Sequence, residues 1–241
     1  MVEAGRTRVL VDAGLSAREI ERRLKARDVP AESIAAIFVT HEHNDHSSGA
    51  LTFSVRFACP IFATAGTGDA LGLESNLFAP FIRVDANGEG RVGDLAYRAL
   101  ATPHDANESV AYAFEADDAR VVIASDLGRA EDRFVDFVSG ATALLLEFNH
   151  DEDMLRDGPY VWALKQRISG GWGHLSNRQS AEVVRRAAGP ELRRVIATHL
   201  SRTNNTPPLA LAALGEALEQ SGWAVPFEAA DPIAGVPAFD A

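Results

Sequence analysis

Cysteine, lysine and long hydrophobic runs are all scarce in this chain. The single cysteine, Cys59, excludes an internal disulfide and a cysteine-rich zinc site, and its apolar neighbours predict a buried, unreactive thiol. No apolar run approaches the ~20 residues that span a bilayer. The first residues also lack the basic and then apolar layout of a signal peptide. We therefore expect a cytoplasmic protein that makes no membrane contact.

Positive charge is also in short supply, since the formal net charge is −11. A general nucleic-acid-binding protein usually carries a basic face, so this balance argues against that class. The argument is weaker for a metal enzyme, because two divalent ions would keep a pocket locally positive whatever charge the surface carries. The acidic balance therefore does not exclude an enzyme that acts on nucleic acid.

Residues 36–46 are the most informative stretch, reading Ala-Ile-Phe-Val-Thr-His-Glu-His-Asn-Asp-His. The short apolar run at 37–39 predicts a buried strand. Four possible metal ligands follow it: His41, His43, Asp45 and His46. These residue types suit zinc, and manganese or iron also accept them. The alternative is a solvated loop that happens to be rich in histidine.

The spacing of these four side chains predicts two neighbouring ions. In extended backbone alternate side chains point the same way, so His41 and His43 are expected to reach one ion together. Asp45 and His46 come where the chain must turn, and they can face a second ion. We expect the helix that leaves this loop to run over residues 47–57.

Four further predicted strands each end in one polar residue. These residues are His104 after the strand at 95–102, Asp126 after 120–125, His150 after 142–148, and His199 after 192–198. An apolar strand that ends in a ligand-type residue, four times over, predicts that the strand ends supply one site. For any one of them, a structural histidine or a helix-capping aspartate is an equal alternative.

The order of predicted elements favours two sheets packed face to face with helices outside. Helices and strands interleave, but a strand meander breaks the βαβ repeat, which disfavours a doubly wound sheet. We find no internal repeat or linker and expect one domain over residues 1–241. Ser16 and Glu19 predict a capping box at the start of a helix to about Arg27. The charged face of that helix is expected to be solvated, with nucleic-acid contact as the alternative.

The Thr-His-x-His-x-Asp-His run at 40–46 resembles the signature of the metallo-β-lactamase-fold hydrolases. Further blocks resemble the YycJ/WalJ-like branch of that superfamily, and they lie at 103–106, 125–128, 147–151, 173–177 and 199–205. The resemblance implies an α+β fold, a four-layer αββα sandwich, and nuclease or phosphodiesterase activity that includes 5′ exonuclease action on double-stranded DNA. Relatives usually begin with a further strand ahead of the segment at residues 2–5, so we expect either that the start of this sequence is misassigned or that an N-terminal edge strand is missing.

The resemblance also implies how two divalent ions, with zinc the best suited, are held. It assigns His41, His43 and His104 to one metal, Asp45, His46 and His199 to the other, and Asp126 to both. His150 is then left over, and either a structural role or a role in supporting a ligand is open to it.

Residues 170–174, Gly-Gly-Trp-Gly-His, predict a flexible loop just before a helix. His174 is a candidate to bind a phosphate oxygen or to protonate the leaving group. Trp172 is a candidate to stack on a base. The alternatives are a capping loop for the first and a core tryptophan for the second.

These observations predict a dinuclear metal-dependent hydrolase, with DNA as the substrate of a phosphodiesterase or exonuclease reaction. A metal-bridging hydroxide would attack phosphorus, with Asp45 or Asp126 orienting it and His174 assisting the leaving group. The alternative substrate is a small thioester, lactone or β-lactam. A non-catalytic binding protein is disfavoured because all seven ligand positions are filled.

Overall fold

The structure is a computed structural model that describes residues 1–241. Its strands are β1 (Val2–Ala4), β2 (Thr7–Val11), β3 (Ile34–Phe38), β4 (Ile61–Ala63), β5 (Phe81–Arg83), β6 (Glu89–Val92), β7 (Leu95–Ala101), β8 (Val110–Ala116), β9 (Ala119–Ala124), β10 (Ala143–Glu147), β11 (Arg194–Thr198) and β12 (Phe227–Ala229). Its α-helices are α1 (Ala17–Lys25), α2 (Asn44–Ser47), α3 (Ala50–Phe57), α4 (Ala65–Ala70), α5 (Asp132–Val138), α6 (Glu152–Asp157), α7 (Trp162–Ser169), α8 (Asn177–Ala187) and α9 (Pro207–Ser221).

Two mixed sheets contain all twelve strands. The five-stranded sheet has the order β1-β2-β3-β4-β5, and the seven-stranded sheet has the order β12-β11-β10-β9-β8-β7-β6. In the first sheet only β1 is antiparallel to its neighbour. In the second, β6, β7 and β8 are antiparallel and β9 to β12 are parallel. The prediction of two mixed sheets is therefore confirmed.

The chain divides into two compact units, one of residues 1–101 and 106–116, the other of 102–105 and 117–241. The single-domain organisation stays a prediction. None of the nine helices combines the length and apolar character needed to span a bilayer.

The first unit is built around Phe38 at the end of β3. Its ring stacks on Phe62 of β4 at 4.7 Å and meets Tyr112 and Phe114 of β8 edge-on at 5.2 and 5.0 Å between ring centroids. All four rings are buried, and offset and edge-to-face contacts of this kind stabilise a core beyond the area they bury. The aromatic cluster holds the carboxyl end of β3 in a fixed position.

The second unit is built around the parallel strands β9, β10 and β11. Strand β10 lies between the other two, with Leu146 paired with Ala124 and with Ala197. The run Ala143–Glu147 is almost entirely buried, as expected of a central parallel strand covered on both faces. This register brings the carboxyl ends of the three strands to one edge, where ligands of open α/β sheets commonly bind.

Three details of the predicted elements are wrong. The helix predicted over residues 47–57 is two helices, α2 and α3, separated at Gly49. The backbone of Gly49 packs against the preceding loop, where an added Cβ would lie 1.8 Å from the carbonyl oxygen of Leu15. Only half of the capping box at α1 is formed. The Ser16 hydroxyl accepts a hydrogen bond from the N–H of Glu19, but the Glu19 carboxylate pairs with Arg22 and Arg23. The strand predicted over residues 192–198 begins at Arg194, so its first two residues lie outside it.

Candidate metal centre

Three imidazoles of the first unit lie together just beyond β3. The rings of His41 and His43 are 4.6 Å apart between centroids, and those of His41 and His46 are 4.3 Å apart. His41 is fully buried, whereas the carboxylate of Asp45 is 70% exposed and lies 3.6 Å from Nε2 of His46. The one-turn helix α2 carries Asp45 and His46, so both face back toward the histidines that precede it.

Asp12, which the sequence did not single out, orients this group. It follows β2, and its carboxylate lies 2.7 Å from Nδ1 of His46 and accepts hydrogen bonds from the backbone N–H and the hydroxyl of Thr40. The Thr40 hydroxyl in turn lies 3.0 Å from Nδ1 of His41. With Nδ1 engaged in both rings, Nε2 is the atom that each offers to a metal, an arrangement usual for ligating histidines.

His104 and His199 flank Asp126 in the second unit. Nε2 of His104 lies 3.5 Å from one carboxylate oxygen of Asp126, and Nε2 of His199 lies 3.7 Å from the other. Nδ1 of His104 lies 3.0 Å from the carbonyl oxygen of Gly173, which leaves Nε2 toward Asp126. Burial lowers the pKa of His104, which favours the neutral imidazole that binds metals.

The donor set and its spacing fit divalent ions. Ligand atoms ~2.0–2.2 Å from a tetrahedral ion lie about 3.4 Å from one another, and the contacts of Asp126 with His104 and His199 are close to that value. These contacts are longer than good hydrogen bonds, as expected where an ion is to lie between the atoms. Asp126 and His199 also have φ angles of 61° and 54°. Left-handed backbone in non-glycine residues is costly and concentrates at functional sites.

His174 lies in the same cluster of the second unit. Its donor atom and those of Asp126 and His199 all lie within 4.8 Å of one another. Nδ1 of His174 is 3.2 Å from an oxygen of Glu147 and 3.5 Å from Asp126. The side chain is 21% exposed, so solvent and substrate can reach it. Its chemical role stays a prediction.

Glu147 is a second residue that the sequence did not single out. It is fully buried at the end of β10 and accepts hydrogen bonds from the backbone N–H groups of Leu127 and Leu175 as well as from His174. Burial raises the pKa of Glu147, but the bonds from His174 and His199 outweigh this and hold its pKa below the ordinary value. The sequence did offer one indication of this role, a glutamate directly after the apolar run Leu-Leu-Leu. A charged residue in such a buried position needs polar partners.

The surroundings of His150 and Trp172 bear on the alternative roles that the sequence left open for each. His150 is buried, its backbone carbonyl accepts a hydrogen bond from Asn177, and its ring Nδ1 has no hydrogen-bond partner. It belongs to none of the possible metal-binding groups in its unit, and both a structural role and a role in supporting a ligand stay predictions. Trp172 is 59% exposed and is therefore not a core tryptophan.

Comparison with known proteins agrees with this geometry. The model of the beta-lactamase superfamily domain matches residues 7–200. The chain is 32% identical to the exodeoxyribonuclease YycJ of Bacillus anthracis, over 90% of this chain and 83% of that protein. It is 33% identical to the exodeoxyribonuclease WalJ of Streptococcus pneumoniae, over 93% of this chain and 85% of that protein.

A solved structure of similar fold is that of the metallo-beta-lactamase fold protein YhfI from Bacillus subtilis. It superposes with a TM-score of 0.72 and 18% identity, and the match covers 97% of this chain and 88% of that one. The match to the family model and the extent of the relatives' identity lead to one conclusion. The chain belongs to the beta-lactamase superfamily, has the metallo-β-lactamase fold, and is a metal-dependent hydrolase.

Proposed function

We propose that this hydrolase is a dinuclear phosphodiesterase that acts on DNA as an exonuclease. The observation that carries the proposal is Asp126, a buried carboxylate with one oxygen facing His104 and the other facing His199. A carboxylate placed in this way suits a ligand shared between two ions. Two relatives named exodeoxyribonucleases, each similar over at least 90% of this chain, support DNA as the substrate.

The proposal assigns seven ligands to two ions, for which zinc is the best-suited metal and manganese or iron are alternatives. One set is His41, His43 and His104, the other is Asp45, His46 and His199, and Asp126 is common to both. When bound, such ions lower the pKa of a water molecule and polarise a phosphoryl oxygen. The cytoplasmic location stays a prediction.

Residues of this chain would orient the reactants and move the proton. Asp45, with an exposed carboxylate beside His46, would orient the attacking water. His174 is held at Nδ1 by Glu147, so its Nε2 would carry the proton to the departing ester oxygen. Because Glu147 accepts hydrogen bonds from two backbone N–H groups, it is well placed to hold the imidazole of His174 in one orientation.

The first test uses bis(p-nitrophenyl) phosphate, which has no base, and the Asp45→Ala variant. We expect loss of turnover to the background rate, while Asp69→Ala, which removes an exposed carboxylate of α4, leaves the rate unchanged. Metal content is measured by elemental analysis of the same preparations. Unchanged turnover by Asp45→Ala, or a wild-type enzyme purified with less than one metal ion per chain, would contradict the proposal.

The second test identifies the substrate class. Purified enzyme with Zn²⁺ or Mn²⁺ is given 5′-phosphorylated double-stranded DNA, single-stranded DNA, RNA, and a panel of thioesters, lactones and β-lactams. We expect mononucleotides from DNA ends and rates on the carbonyl compounds lower by orders of magnitude. Faster hydrolysis of a thioester or lactone would replace the DNA proposal by the small-molecule alternative.

A further inference from the structure

The loop of residues 170–173 is fixed to its surroundings by backbone contacts. The N–H of Gly173 donates to Gly170, and that of Asp105 donates to the carbonyl oxygen of Trp172. Gly128 packs so closely beneath the loop that an added Cβ would lie 2.3 Å from the carbonyl carbon of Gly171. These contacts anchor the backbone of the loop on both sides of Trp172.

Trp172 and Arg129 form an exposed pair on this anchored loop. The guanidinium carbon of Arg129 lies 5.2 Å from the centre of the indole ring, a cation–π contact. Arg129 also donates to the carbonyl oxygen of Gly171 and is paired with Glu131 at 2.8 Å. The indole nevertheless stays 59% exposed. An exposed indole that carries a guanidinium contact and stands on an anchored backbone can receive a further flat ring by stacking.

The backbone joins this pair to the proposed ligands. Gly173, directly after Trp172, provides the carbonyl oxygen that lies 3.0 Å from Nδ1 of His104. His174 is the next residue, and Asp126 stands three residues before Arg129. The indole is therefore two residues from the predicted proton donor. Its distance from a reacting phosphate would be set by the same loop that orients His104.

We propose that Trp172, backed by Arg129, is a stacking platform for the nucleobase next to the scissile phosphate of a DNA substrate. The inference rests on the proposed function and adds the residue that recognises the base. An indole stacks on any base because every base has a π face, so the platform would position the terminal nucleotide without selecting sequence. The Arg129 guanidinium contributes by its contact with the indole rather than by its charge, which the ion pair with Glu131 offsets.

The test combines enzyme variants with a substrate that lacks one base. The enzymes are wild type, Trp172→Ala, Trp172→Phe and Trp223→Ala, the last a partly exposed tryptophan beyond α9 that serves as matched control. The substrates are a 5′-phosphorylated DNA and the same DNA with an abasic residue at its end, and the metal content of each enzyme is also measured. For each pair kcat/KM is measured at fixed salt and metal concentration.

We expect Trp172→Ala to lower kcat/KM on intact DNA about 5- to 150-fold, which corresponds to the ~1–3 kcal/mol that stacking contributes per base. Trp172→Phe should retain most of the rate, and Trp223→Ala all of it. On the abasic DNA wild type and Trp172→Ala should be equally slow, because neither has a base to stack. Their metal contents should be the same.

Three results would overturn the platform. One is an equal loss by Trp172→Ala on intact and abasic DNA, and another is a loss of bound metal in Trp172→Ala; both indicate a structural role. The third is no loss on intact DNA. In each of these cases wild type still degrades DNA, so the proposed function stands. A wild-type enzyme that degrades no DNA contradicts the proposed function itself, and the platform with it.

Discussion

Asp12 shows how one side chain outside the ligand set can determine the geometry of a metal site. It lies 2.7 Å from Nδ1 of His46, and through the Thr40 hydroxyl it also acts on His41. Its φ angle of 58° places the carboxylate across from β3. Carboxylates that hold metal-binding histidines fix both the ring orientation and the atom that faces the metal.

We predict that Asp12→Asn weakens metal binding by about 10- to 100-fold, the range usual for loss of such a partner. The amide keeps the shape of the side chain but loses the negative charge, which favours a proton on Nδ1 of His46. Metal affinity is measured by competition with a chromophoric chelator. Asp28→Asn is the matched control, because Asp28 is exposed and has a similar φ of 56°. Equal affinities for wild type and Asp12→Asn would contradict this role.

Cys59 permits a prediction about pH, because burial raises the pKa of its thiol to about 12. An unfolded thiol ionises near pH 8.5, so the folded state disfavours the thiolate that the unfolded state accepts. The contribution of the neutral thiol to stability is therefore complete below about pH 8.5. It is lost progressively as the pH rises toward 12.

We expect the free energy of unfolding to fall between pH 8.5 and pH 11, and to fall less steeply in Cys59→Ala. Urea denaturation of both proteins at each pH measures the difference, and subtracting the curves removes contributions from tyrosines and lysines. Native enzyme at pH 8 should also react with a thiol reagent only as fast as it unfolds. Parallel stability curves, or rapid labelling of the folded protein, would show that the thiol is accessible.

At the scale of elements, the sequence predicted the strands that carry the ligands better than the connections between them. Short apolar runs ending in His, Asp or Glu identify β3, β9, β10 and β11 with boundaries within a few residues. Helices α6 and α7 were not predicted, and α7 has no fully buried residue to provide a periodic signal. Asp12 and Glu147 were passed over because their function depends on partners distant in sequence, which no local pattern specifies.

The loop after β2 and helix α2, which carries the proposed ligands Asp45 and His46, depend on each other. An added Cβ at Gly14 would lie 1.6 Å from the carbonyl oxygen of Asp45, and Ala13 donates its N–H to the carbonyl oxygen of His46. Only a residue without a side chain allows this approach, since a backbone atom cannot move aside as a flexible side chain can. Gly14 is therefore part of what places Asp45 and His46.

We predict that Gly14→Ala destabilises the protein by at least ~1–3 kcal/mol, the usual cost of overpacking, and also reduces metal content. Gly189→Ala is the control, because its added Cβ would meet only the flexible end of Glu191. Chemical denaturation and elemental analysis are carried out on both variants. A stable Gly14→Ala protein with full metal content would mean that the loop can move without disturbing α2.

At the scale of the whole molecule, the net charge of −11 restricts how a DNA substrate can be held. Many arginines that might form a basic surface are paired with carboxylates of the same or a neighbouring turn. Arg22 and Arg23 pair with Glu19, Arg156 with Asp153, and Arg185 with Glu182. The charged face of α1 is therefore partly neutralised, which favours the solvated face over an extended nucleic-acid contact.

An acidic enzyme that contacts DNA only at the metal centre and the adjacent loop should release few counterions from the DNA when it binds. Each neutralised phosphate of duplex DNA contributes about −0.9 to the slope of log affinity against log salt concentration. Contact with one to three phosphates therefore predicts a slope between about −1 and about −3 for log kcat/KM on double-stranded DNA. The measurement uses potassium glutamate at constant metal concentration, with bis(p-nitrophenyl) phosphate as the salt-insensitive control. A slope steeper than about −5 would require a broad basic groove, which the pairing of these arginines argues against.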